Sequence, residues 1–495
     1  MKSRPTPQEH IEKHVSLLAE IKRFNERWEG DQLFRERFSK NPTLMLQDYK
    51  ININPNTVRY IWDEQINRDI FIQDSFADTH AELKILQDLV KASNLEKTSV
   101  EVLESIMDQG LKNKNFKYWR NRQRNRLISQ TIRTLNRDAG HYPAAFELSK
   151  GCSGGCWFCS VSAEKLQEFH LHTNKSQQEW KYILHFLRKK LGPAASESFC
   201  YWATDPLDNA DYEKFALDFK EVMNSFPSTT TALSTRNIKR TKEFLKLCQK
   251  EGGRTRFSVT SLKMLNDIHK YFSAEELFEI ELVLQLDGAM NESKSNAGRA
   301  RERALKDKRR KDVVDDDQSP SCVSGFLFNM IDKRIALISP CLPCDRWPNG
   351  HRIHEEVTFE TSMDVAEIIN QMIAKHMSLE LNFDHQFQMR NDIKLSHGIN
   401  NGAPALRLTT NCKTIWINNC TKAEELCNLL STKKHTPKKI MYIMSQVHGQ
   451  SYAITSSILK KLFDYGMTED DPKLLKDSLG KNIFSEILEP NPYNQ

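Results

Sequence analysis

Three cysteines, Cys152, Cys156 and Cys159, fall within eight residues of a glycine-rich segment that follows a short apolar run, residues 144–148. This spacing allows three thiolates to reach one face of a cubane iron–sulfur cluster, because thiolate is the ligand that such irons take. The fourth iron then has no protein ligand and is open to a small molecule that offers an amine and a carboxylate. The motif therefore predicts a [4Fe–4S] site on a loop at the end of a strand.

Two other uses of these cysteines are weaker. A zinc site usually takes four ligands arranged as two close pairs, whereas His170 and His172, the next histidines, fall in a separate polar segment. A disulfide framework is disfavoured because the 495-residue chain shows no signal-peptide pattern and spreads its eleven cysteines irregularly. Free thiols and an oxygen-sensitive cluster together predict a reducing, cytoplasmic location.

Strand and helix patterns alternate downstream of the cysteines. Residues 326–331 and 335–338 predict a hairpin, and amphipathic stretches such as residues 212–223 predict helices. The other strand candidates are residues 144–148, 198–203, 229–234, 256–260 and 282–286. This alternation predicts an α/β fold, a parallel open barrel of six strands. The cysteine loop would lie at the carboxyl ends of the strands, where the active loops of β/α barrels are found.

Composition bounds the rest of the molecule. A chain of 495 residues is expected to form several domains, and 39% hydrophobic residues are ample for their cores. No apolar run approaches the length of a membrane span, so we expect no membrane partner. The net charge of +6 is modest.

A basic segment, residues 112–137, mixes lysines and arginines with Phe116, Tyr118 and Trp119. These side chains could line a nucleic-acid surface, which we consider the weaker interpretation. The alternative is a helix whose apolar residues face the barrel while its arginines are solvated or hold an acidic peptide. A second basic run, residues 299–311, precedes three aspartates and predicts a self-neutralising helix and loop.

The two ends of the chain predict separate domains. Helical periodicity in residues 1–140 predicts a helical N-terminal region. Residues 141–360 hold the barrel, residues 361–400 connect it to the next domain, and residues 401–495 predict a winged-helix-like domain.

That last domain has clear local signals. Residues 405–408 and 414–417 predict a pair of strands, and three helices follow. Thr421 and Glu424 have the spacing of a capping box. The other two signals are Thr436 before Pro437 as a helix start and Gly466 as a helix end.

The cysteine spacing resembles the signature of the radical S-adenosylmethionine (SAM) enzymes, in which the open iron holds the methionine end of SAM. Further segments between about residues 140 and 360 resemble one subfamily, the radical SAM epimerases that convert L- to D-residues in ribosomally synthesised peptides, as in proteusin pathways. These segments are residues 147–152, 201–209, 297–299 and 339–350. The resemblance implies a partial (β/α)6 barrel in residues 141–360.

The resemblance also implies cofactor contacts around the cysteine loop. Phe158 is the aromatic that the family places beside the adenine. Ala203, Thr204 and Asp205 occupy a segment that usually supplies groups to the SAM amine, often in a Gly-Gly-Glu context from which this chain departs. Asp205 is therefore expected to bind the amine directly, or alternatively to cap a turn before Pro206.

Three other residues are implied to contact SAM. Ser234 or Thr235 is expected at the ribose or the carboxylate. Arg299 is expected to pair with the cofactor carboxylate, which a guanidinium fork suits, and its alternative is a solvated position on a helix.

The implied reaction begins when SAM is cleaved to a 5′-deoxyadenosyl radical that removes a Cα hydrogen from the bound peptide. Inversion then requires a hydrogen atom from the opposite face, and a neutral thiol is a suitable donor. Cys341 follows Ser-Pro at a strand end and is expected to project over the pocket as this donor, with Cys344 and Cys322 as alternatives. The pair Cys341 and Cys344 could instead bind zinc or a second cluster, or form a disulfide.

The implied partners are a ribosomal precursor peptide, whose leader binds the winged helix by strand addition, and an electron donor such as flavodoxin or ferredoxin. Two alternatives remain open. The enzyme could install a thioether, a carbon–carbon crosslink or a methyl group on a peptide. The chain could also be an iron–sulfur regulator that binds DNA through its winged helix.

Overall fold

The computed structural model of the chain describes residues 7–63, 105, 107–131, 140–290, 297–306, 319–471 and 474. The chain divides into two compact units. The first comprises Met1–Ser105, Phe146–Lys181 and Ser196–Lys294, and the second comprises Ile106–Ala145, Tyr182–Ala195 and Ser295–Gln495. Within the described residues, no helix combines the length and apolar character that crossing a membrane requires.

The helices and strands are numbered here in chain order. The helices are α1 (Pro7–Gly30), α2 (Gln32–Phe38), α3 (Pro42–Asp48), α4 (Arg59–Trp62), α5 (Lys114–Gln130), α6 (Asn174–Leu191), α7 (Tyr212–Met223), α8 (Ile238–Glu251), α9 (Leu262–Tyr271), α10 (Gly298–Lys306), α11 (Asp364–His376), α12 (Ala423–Thr432), α13 (Pro437–Gln446) and α14 (Tyr452–Asp464). The strands are β1 (Tyr142–Glu147), β2 (Ser149–Lys150), β3 (Glu168–Phe169), β4 (Thr229–Thr231), β5 (Thr255–Val259), β6 (Glu281–Leu284), β7 (Val323–Asn329), β8 (Arg334–Pro340), β9 (His351–Thr358), β10 (Lys394–Asn400), β11 (Ala403–Thr409) and β12 (Thr414–Asn418).

The first unit contains a parallel sheet of β4, β5 and β6. Its register pairs Thr229 with Thr255 and Phe257 with Leu282. Helices α8 and α9 supply the crossovers that parallel strands need, and Phe257 and Leu265 are fully buried in the adjoining apolar core. The predicted strands at residues 229–234, 256–260 and 282–286 are confirmed, with β4 shorter than expected.

The predicted strand at residues 198–203 is wrong. Only Phe199 pairs with a neighbouring strand, where its carbonyl accepts from the amide of Phe146 at 3.0 Å. The amide of Ala203 instead donates to the Glu147 carboxylate at 2.9 Å. A side chain has therefore taken a backbone group that would otherwise continue the ladder.

The N-terminal helices of the first unit pack around an aromatic core that includes Phe24 and Phe34. Asn41 caps α3 and Asn54 caps the following short turn, each through its side-chain oxygen and each directly before a proline. The predicted helical region is confirmed for residues 7–63, and most of its remainder lies outside the described residues.

The second unit contains a sheet with the order β1-β7-β8-β9. Strands β7 and β8 are antiparallel, with Phe326 opposite Leu337, so the predicted hairpin is confirmed. Residues 330–333 join them, and four residues are too few for the crossover of a dozen or more that a parallel neighbour requires. The hairpin adds β8 and β9 as antiparallel strands beyond β7, and β7 lies beside β1. The described strands form no closed barrel, and the partial barrel stays a prediction.

The C-terminal part of the second unit is an antiparallel sheet in the order β10-β11-β12, followed by α12, α13 and α14. The predicted strand pair is confirmed, with Leu406 opposite Ile417. Strand β10 was missed because Ser396, His397 and Gly398 give it little β-propensity. Three strands and three helices share one apolar core, as a winged-helix-like domain requires.

Two of the three helix signals in this domain are confirmed. Thr436 caps α13 by accepting from the amide of Lys439, with Pro437 at the first helical position. Gly466 ends α14 with a φ of +67°, and the amide of the next residue donates to the carbonyl of Leu462 at 2.9 Å. This is the closing bond of a Schellman motif.

The capping box at Thr421 and Glu424 is wrong. Helix α12 begins after Lys422, and no side chain caps it. The amide of Lys422 instead donates to the side-chain oxygen of Gln450 at 3.1 Å. The Thr421 hydroxyl donates to the same oxygen at 3.4 Å, so the expected capping group is bonded to a residue distant in sequence.

Three of the four arginines of α5 are buried. Arg120 and Arg126 are buried, and Arg126 pairs with Asp470 at 2.7 Å. These guanidinium groups are therefore not available to nucleic acid, and the acidic peptide that Arg126 holds is the chain's own segment, residues 469–471. Residues 132–137 of this basic run and residues 307–311 of the second lie outside the described residues.

Candidate functional site

The cysteine loop leaves β2 at Gly151, which adopts a φ of +78°. A Cβ at this position would lie 2.3 Å from the carbonyl oxygen of Lys165, so only glycine fits. The amide of Cys152 donates to the carbonyl of Glu164 at 2.9 Å. The loop is therefore closed back on itself at its first cysteine.

The sulfurs of the loop are half-buried and receive backbone hydrogen bonds. The amide of Gly154 donates to Cys152 Sγ and the amide of Ala163 donates to Cys159 Sγ, both at 3.3 Å. A Cβ on Gly154 would lie 3.3 Å from Cys152 Sγ and 3.5 Å from Cys156 Sγ, so these two sulfurs converge on one glycine. Amide-to-sulfur bonds of this kind tune cysteine ligands of iron–sulfur clusters.

The donor atoms of this loop are three cysteine sulfurs, the ligand type that iron–sulfur clusters take. Among the described residues, no three His, Cys, Asp or Glu side chains form a group that could hold a single metal ion. Burial raises the pKa of the Cys152 thiol to about 12. Metal loading at this position would therefore release a proton.

Phe158, the expected adenine neighbour, is 9% exposed and packs edge-on against Trp157, with ring centroids 5.5 Å apart. It lies in the first unit with the three cysteines. Its contact with adenine stays a prediction.

Asp205 is buried at the start of the short 3₁₀ turn Pro206–Asp208, which it caps by accepting from the amide of Leu207 at 3.0 Å. It also accepts from the hydroxyl of Thr231 and the amide of Ala232, both at 2.7 Å. Burial raises the pKa of Asp205 to about 6. The alternative role, a capped turn before Pro206, is confirmed, and a bond to the SAM amine stays a prediction, as does the role of half-buried Thr204.

Sequence reasoning missed the residue at the other end of this turn. Asp208 Oδ2 accepts from the amide of Ser153 at 2.8 Å, and Asp208 Oδ1 accepts from the Ser153 hydroxyl. Arg236 donates to the same hydroxyl, donates to the Ser153 carbonyl at 3.3 Å, and pairs with Asp208 at 3.4 Å. Asp208 and Arg236 thus hold the residue that follows the first cysteine.

A cleft of about 450 Å³ opens beside this contact. Its lining combines apolar side chains with two arginines and an aspartate. Its lining residues are Leu166, Phe169, Leu207, Asp208, Leu233, Arg236, Asn237, Arg240 and Thr241.

Two buried polar atoms lie just beyond the carboxyl ends of strands in the first unit. Ser234 Oγ, after β4, and Gln285 Oε1, after β6, have no hydrogen-bond partner among the described residues. Ser234 was expected to meet SAM, and its unsatisfied hydroxyl suits a ligand that supplies the missing bond. The neighbouring Thr235 is half-buried. Gln285 carried no sequence signal.

The remaining expected residues, Arg299 and the three donor candidates, belong to the second unit. Arg299 is half-buried on α10. Cys322 is half-buried directly before β7, and Cys344 is exposed. Neither cysteine forms a disulfide among the described residues.

Cys341 is 3% exposed, and its projection over a pocket stays a prediction. The amide of Cys341 donates to Gly350 at 3.0 Å, and the register pairs Ser339 with Arg352. Because side chains alternate along a strand, Cys341 shares a face with Ser339, and α5 packs against β8. Burial raises the pKa of the Cys341 thiol to about 12, although Arg352 opposes the shift. Cys341 is thus a neutral, covered thiol.

Comparison with known proteins found one informative relative. The uncharacterized protein y4wI of Sinorhizobium fredii (strain NBRC 101917 / NGR234) is 32% identical to this chain over 413 residues. The aligned region covers 80% of this chain and 76% of the relative. No protein-family model matches the chain. No solved structure matches it either.

Proposed function

The chain belongs to the same family as y4wI of Sinorhizobium fredii, and we propose that it is a radical SAM epimerase that converts L- to D-residues in a ribosomally made peptide. The cysteine loop carries the proposal. Its three thiols follow the radical SAM spacing, two of them already accept backbone amides, and two sulfurs converge on Gly154.

The protein residues would divide the work as follows. Cys152, Cys156 and Cys159 would hold a [4Fe–4S] cluster and leave one iron open for SAM. When bound, the cluster and SAM would together supply one-electron cleavage of SAM, which yields a radical able to remove a Cα hydrogen. Ser234 supplies an unsatisfied hydroxyl in the same unit. Phe158 offers a buried aromatic ring for the adenine.

The hydrogen returned to the peptide would come from a cysteine thiol. A donor of this kind must be neutral, since a thiolate has no hydrogen to give. Cys341 meets this condition through its raised pKa, but it is covered. Cys344 is exposed and Cys322 is half-buried, so all three remain candidates.

The winged-helix-like domain is the proposed site for the precursor leader. Its sheet has two edge strands, β10 and β12, which can accept an added strand. Large apolar side chains are exposed along α13 and α14, a composition that suits a peptide better than phosphate backbone. They are Tyr442, Val447, Tyr452 and Ile454. An electron carrier such as flavodoxin or ferredoxin, and a cytoplasmic location, complete the proposal.

Incubation of the reconstituted enzyme, SAM, reductant and precursor in deuterated water tests the reaction class. An epimerase adds one deuterium at each inverted Cα and makes no other mass change. A thioether or carbon–carbon crosslink would remove hydrogen, and methylation would add a methyl group. An iron–sulfur regulator would show DNA binding that depends on cluster state and no SAM turnover.

Replacing Cys152, Cys156 and Cys159 together by alanine is the matched loss-of-site variant. We expect wild-type chain to bind about four irons after anaerobic reconstitution, the content of a [4Fe–4S] cluster, and to form 5′-deoxyadenosine when reduced. The triple variant should do neither. Full turnover in the triple variant would rule out the radical SAM assignment.

A further inference from the structure

We propose that Asp208 is a positioning residue for the cysteine loop, which it holds in a ligand-ready shape through Ser153 before any metal binds. This inference rests on the proposed function insofar as the loop is taken to hold a cluster. The contact itself is a property of the chain alone.

Every polar group of Ser153 is engaged. The Asp208 carboxylate accepts hydrogen bonds from the Ser153 amide, at 2.8 Å, and from the Ser153 hydroxyl. Arg236 donates to that hydroxyl and to the Ser153 carbonyl. A residue held at its amide, carbonyl and side chain has little freedom, so the positions of Cys152 and Gly154 on either side of it are restricted too.

The anchor is itself fixed to the sheet. Asp208 ends a one-turn 3₁₀ helix that Asp205 begins, and Pro206 occupies its first position, where the ring restricts φ. Asp205 accepts from Thr231 in β4 and from Ala232 just after it. The turn is therefore hydrogen-bonded at both ends, through Asp205 to the carboxyl end of β4 and through Asp208 to the cysteine loop.

Charge strengthens the hydrogen bonds between Asp208 and the cysteine loop. The Asp208 side chain is 3% exposed, whereas that of Arg236 is 55% exposed. The carboxylate is thus largely shielded from water, and hydrogen bonds to a carboxylate are stronger than those between neutral groups. Partners that orient metal ligands in this way typically alter metal affinity by about 10–100-fold when they are removed.

Asp208→Asn is the direct test, because it keeps the side-chain shape and removes the charge and one acceptor. In the apo chain we expect iodoacetamide to alkylate Cys152 and Cys156 several-fold faster, and backbone amides around residues 151–156 to exchange faster. After reconstitution, a chelator should withdraw iron about tenfold faster than from wild type. Asp267→Asn, which removes a comparable carboxylate from an exposed pair with Lys263, should match wild type.

Ser153→Ala provides a second, milder variant in case Asp208→Asn does not fold. It should raise the same alkylation rates. The double variant should be no worse than Asp208→Asn alone, because both changes interrupt one path. Unchanged alkylation and exchange in a folded Asp208→Asn or Ser153→Ala chain would overturn the proposal.

The apo readouts separate this inference from the proposed function. If the wild-type chain binds no cluster but its loop thiols still become more reactive without Asp208, the anchor stands and the radical SAM assignment fails. If the cluster forms and iron release is insensitive to Asp208, the assignment stands and the anchor fails.

Discussion

Gly151 and Gly155 both adopt positive φ, at +78° and +61°, but their surroundings differ. A Cβ on Gly151 would meet the Lys165 carbonyl oxygen at 2.3 Å, whereas one on Gly155 would meet nothing within 4 Å. Gly155→Ala should therefore lower the free energy of unfolding only by the cost of placing alanine in the left-handed conformation, about 1 kcal/mol. Gly151→Ala should lower the free energy of unfolding by about 1–3 kcal/mol more, because the added methyl group clashes with its surroundings, as in an overpacked core.

Urea denaturation of the apo chain measures both losses. Gly155→Ala is the control for Gly151→Ala, because both place alanine at a positive φ but only Gly151→Ala adds a steric clash. Equal losses would show that the Lys165 carbonyl moves aside freely and that the loop is not closed at this point.

The donor thiol is identified by separating two measurements, SAM cleavage and D-residue yield. Alanine at the true donor should leave 5′-deoxyadenosine formation intact and reduce D-residue yield at least about tenfold, as loss of an essential reacting group does. Serine at that position should fail equally, because an O–H bond is too strong to give its hydrogen to a carbon radical. We would assign the role to whichever of Cys341, Cys344 or Cys322 shows this pattern. If none does, another radical modification becomes the better description.

At the level of elements, α12 and α13 differ in how their first amides are satisfied. Thr436 caps α13 directly, so Thr436→Ala should destabilise the domain by about 1 kcal/mol. Thr421 provides no cap to α12, so Thr421→Ala should change stability by less than about 0.5 kcal/mol. Thermal or urea unfolding of the two variants would decide, and a larger loss for Thr421→Ala would restore the capping box.

Local signals predicted local structure well. The Thr436 cap, the Gly466 stop and the β7–β8 hairpin each depend on residues a few positions apart, and all are confirmed. The failures depend on long-range partners. The Glu147 carboxylate accepts from the amide of Ala203, and the side-chain oxygen of Gln450 accepts from the Thr421 hydroxyl that was expected to cap α12.

The candidate site divides in the same way. The cysteine spacing is contiguous and therefore visible in the sequence. The contact of Asp208 with Ser153 joins residues 55 positions apart, and no periodicity or spacing signals it. The burial of Cys341 was not predicted because it depends on what packs against the end of β8, which the strand sequence alone does not state.

At the scale of the second unit, Asp470 stabilises two arginines from different elements. It pairs with Arg126 of α5 at 2.7 Å and with Arg352 of β9 at 2.8 Å. The Asp470 side chain is 27% exposed, but those of Arg126 and Arg352 are 2% and 9% exposed. Asp470→Asn should therefore cost about 3 kcal/mol, since it leaves buried guanidinium groups without their main counter-charge.

The pH dependence should follow the same contact. Burial alone would raise the pKa of Asp470, but Arg126 and Arg352 outweigh it and hold that pKa well below its usual range. A carboxyl with a depressed folded pKa contributes fully above about pH 4, the unfolded value, and its contribution is lost as pH falls further. Asp470→Asn should remove this loss.

His354 should affect stability over a higher pH range than Asp470. Burial lowers its pKa to about 3, so unfolding takes up a proton and stability falls as pH drops from about 6.5 towards 3. Denaturation curves from pH 7 to 2 separate the two contributions. In Asp470→Asn the slope above pH 4 should persist and the slope below it should shrink. Asp384→Asn is the control, because Asp384 forms a largely exposed surface pair with Lys438, and it should leave both slopes unchanged.

The acidic segment at residues 469–471 also limits how this protein can be engineered. A leader-binding domain that behaved as an exchangeable cassette could be cut away near residue 401, or grafted onto another enzyme, without harm to its host. Here such a cut would strip Arg126 and Arg352 of the acids that neutralise them. If this domain binds the leader as proposed, altered peptide choice is therefore better sought by substitutions on the exposed faces of α13 and α14 than by swapping the whole domain.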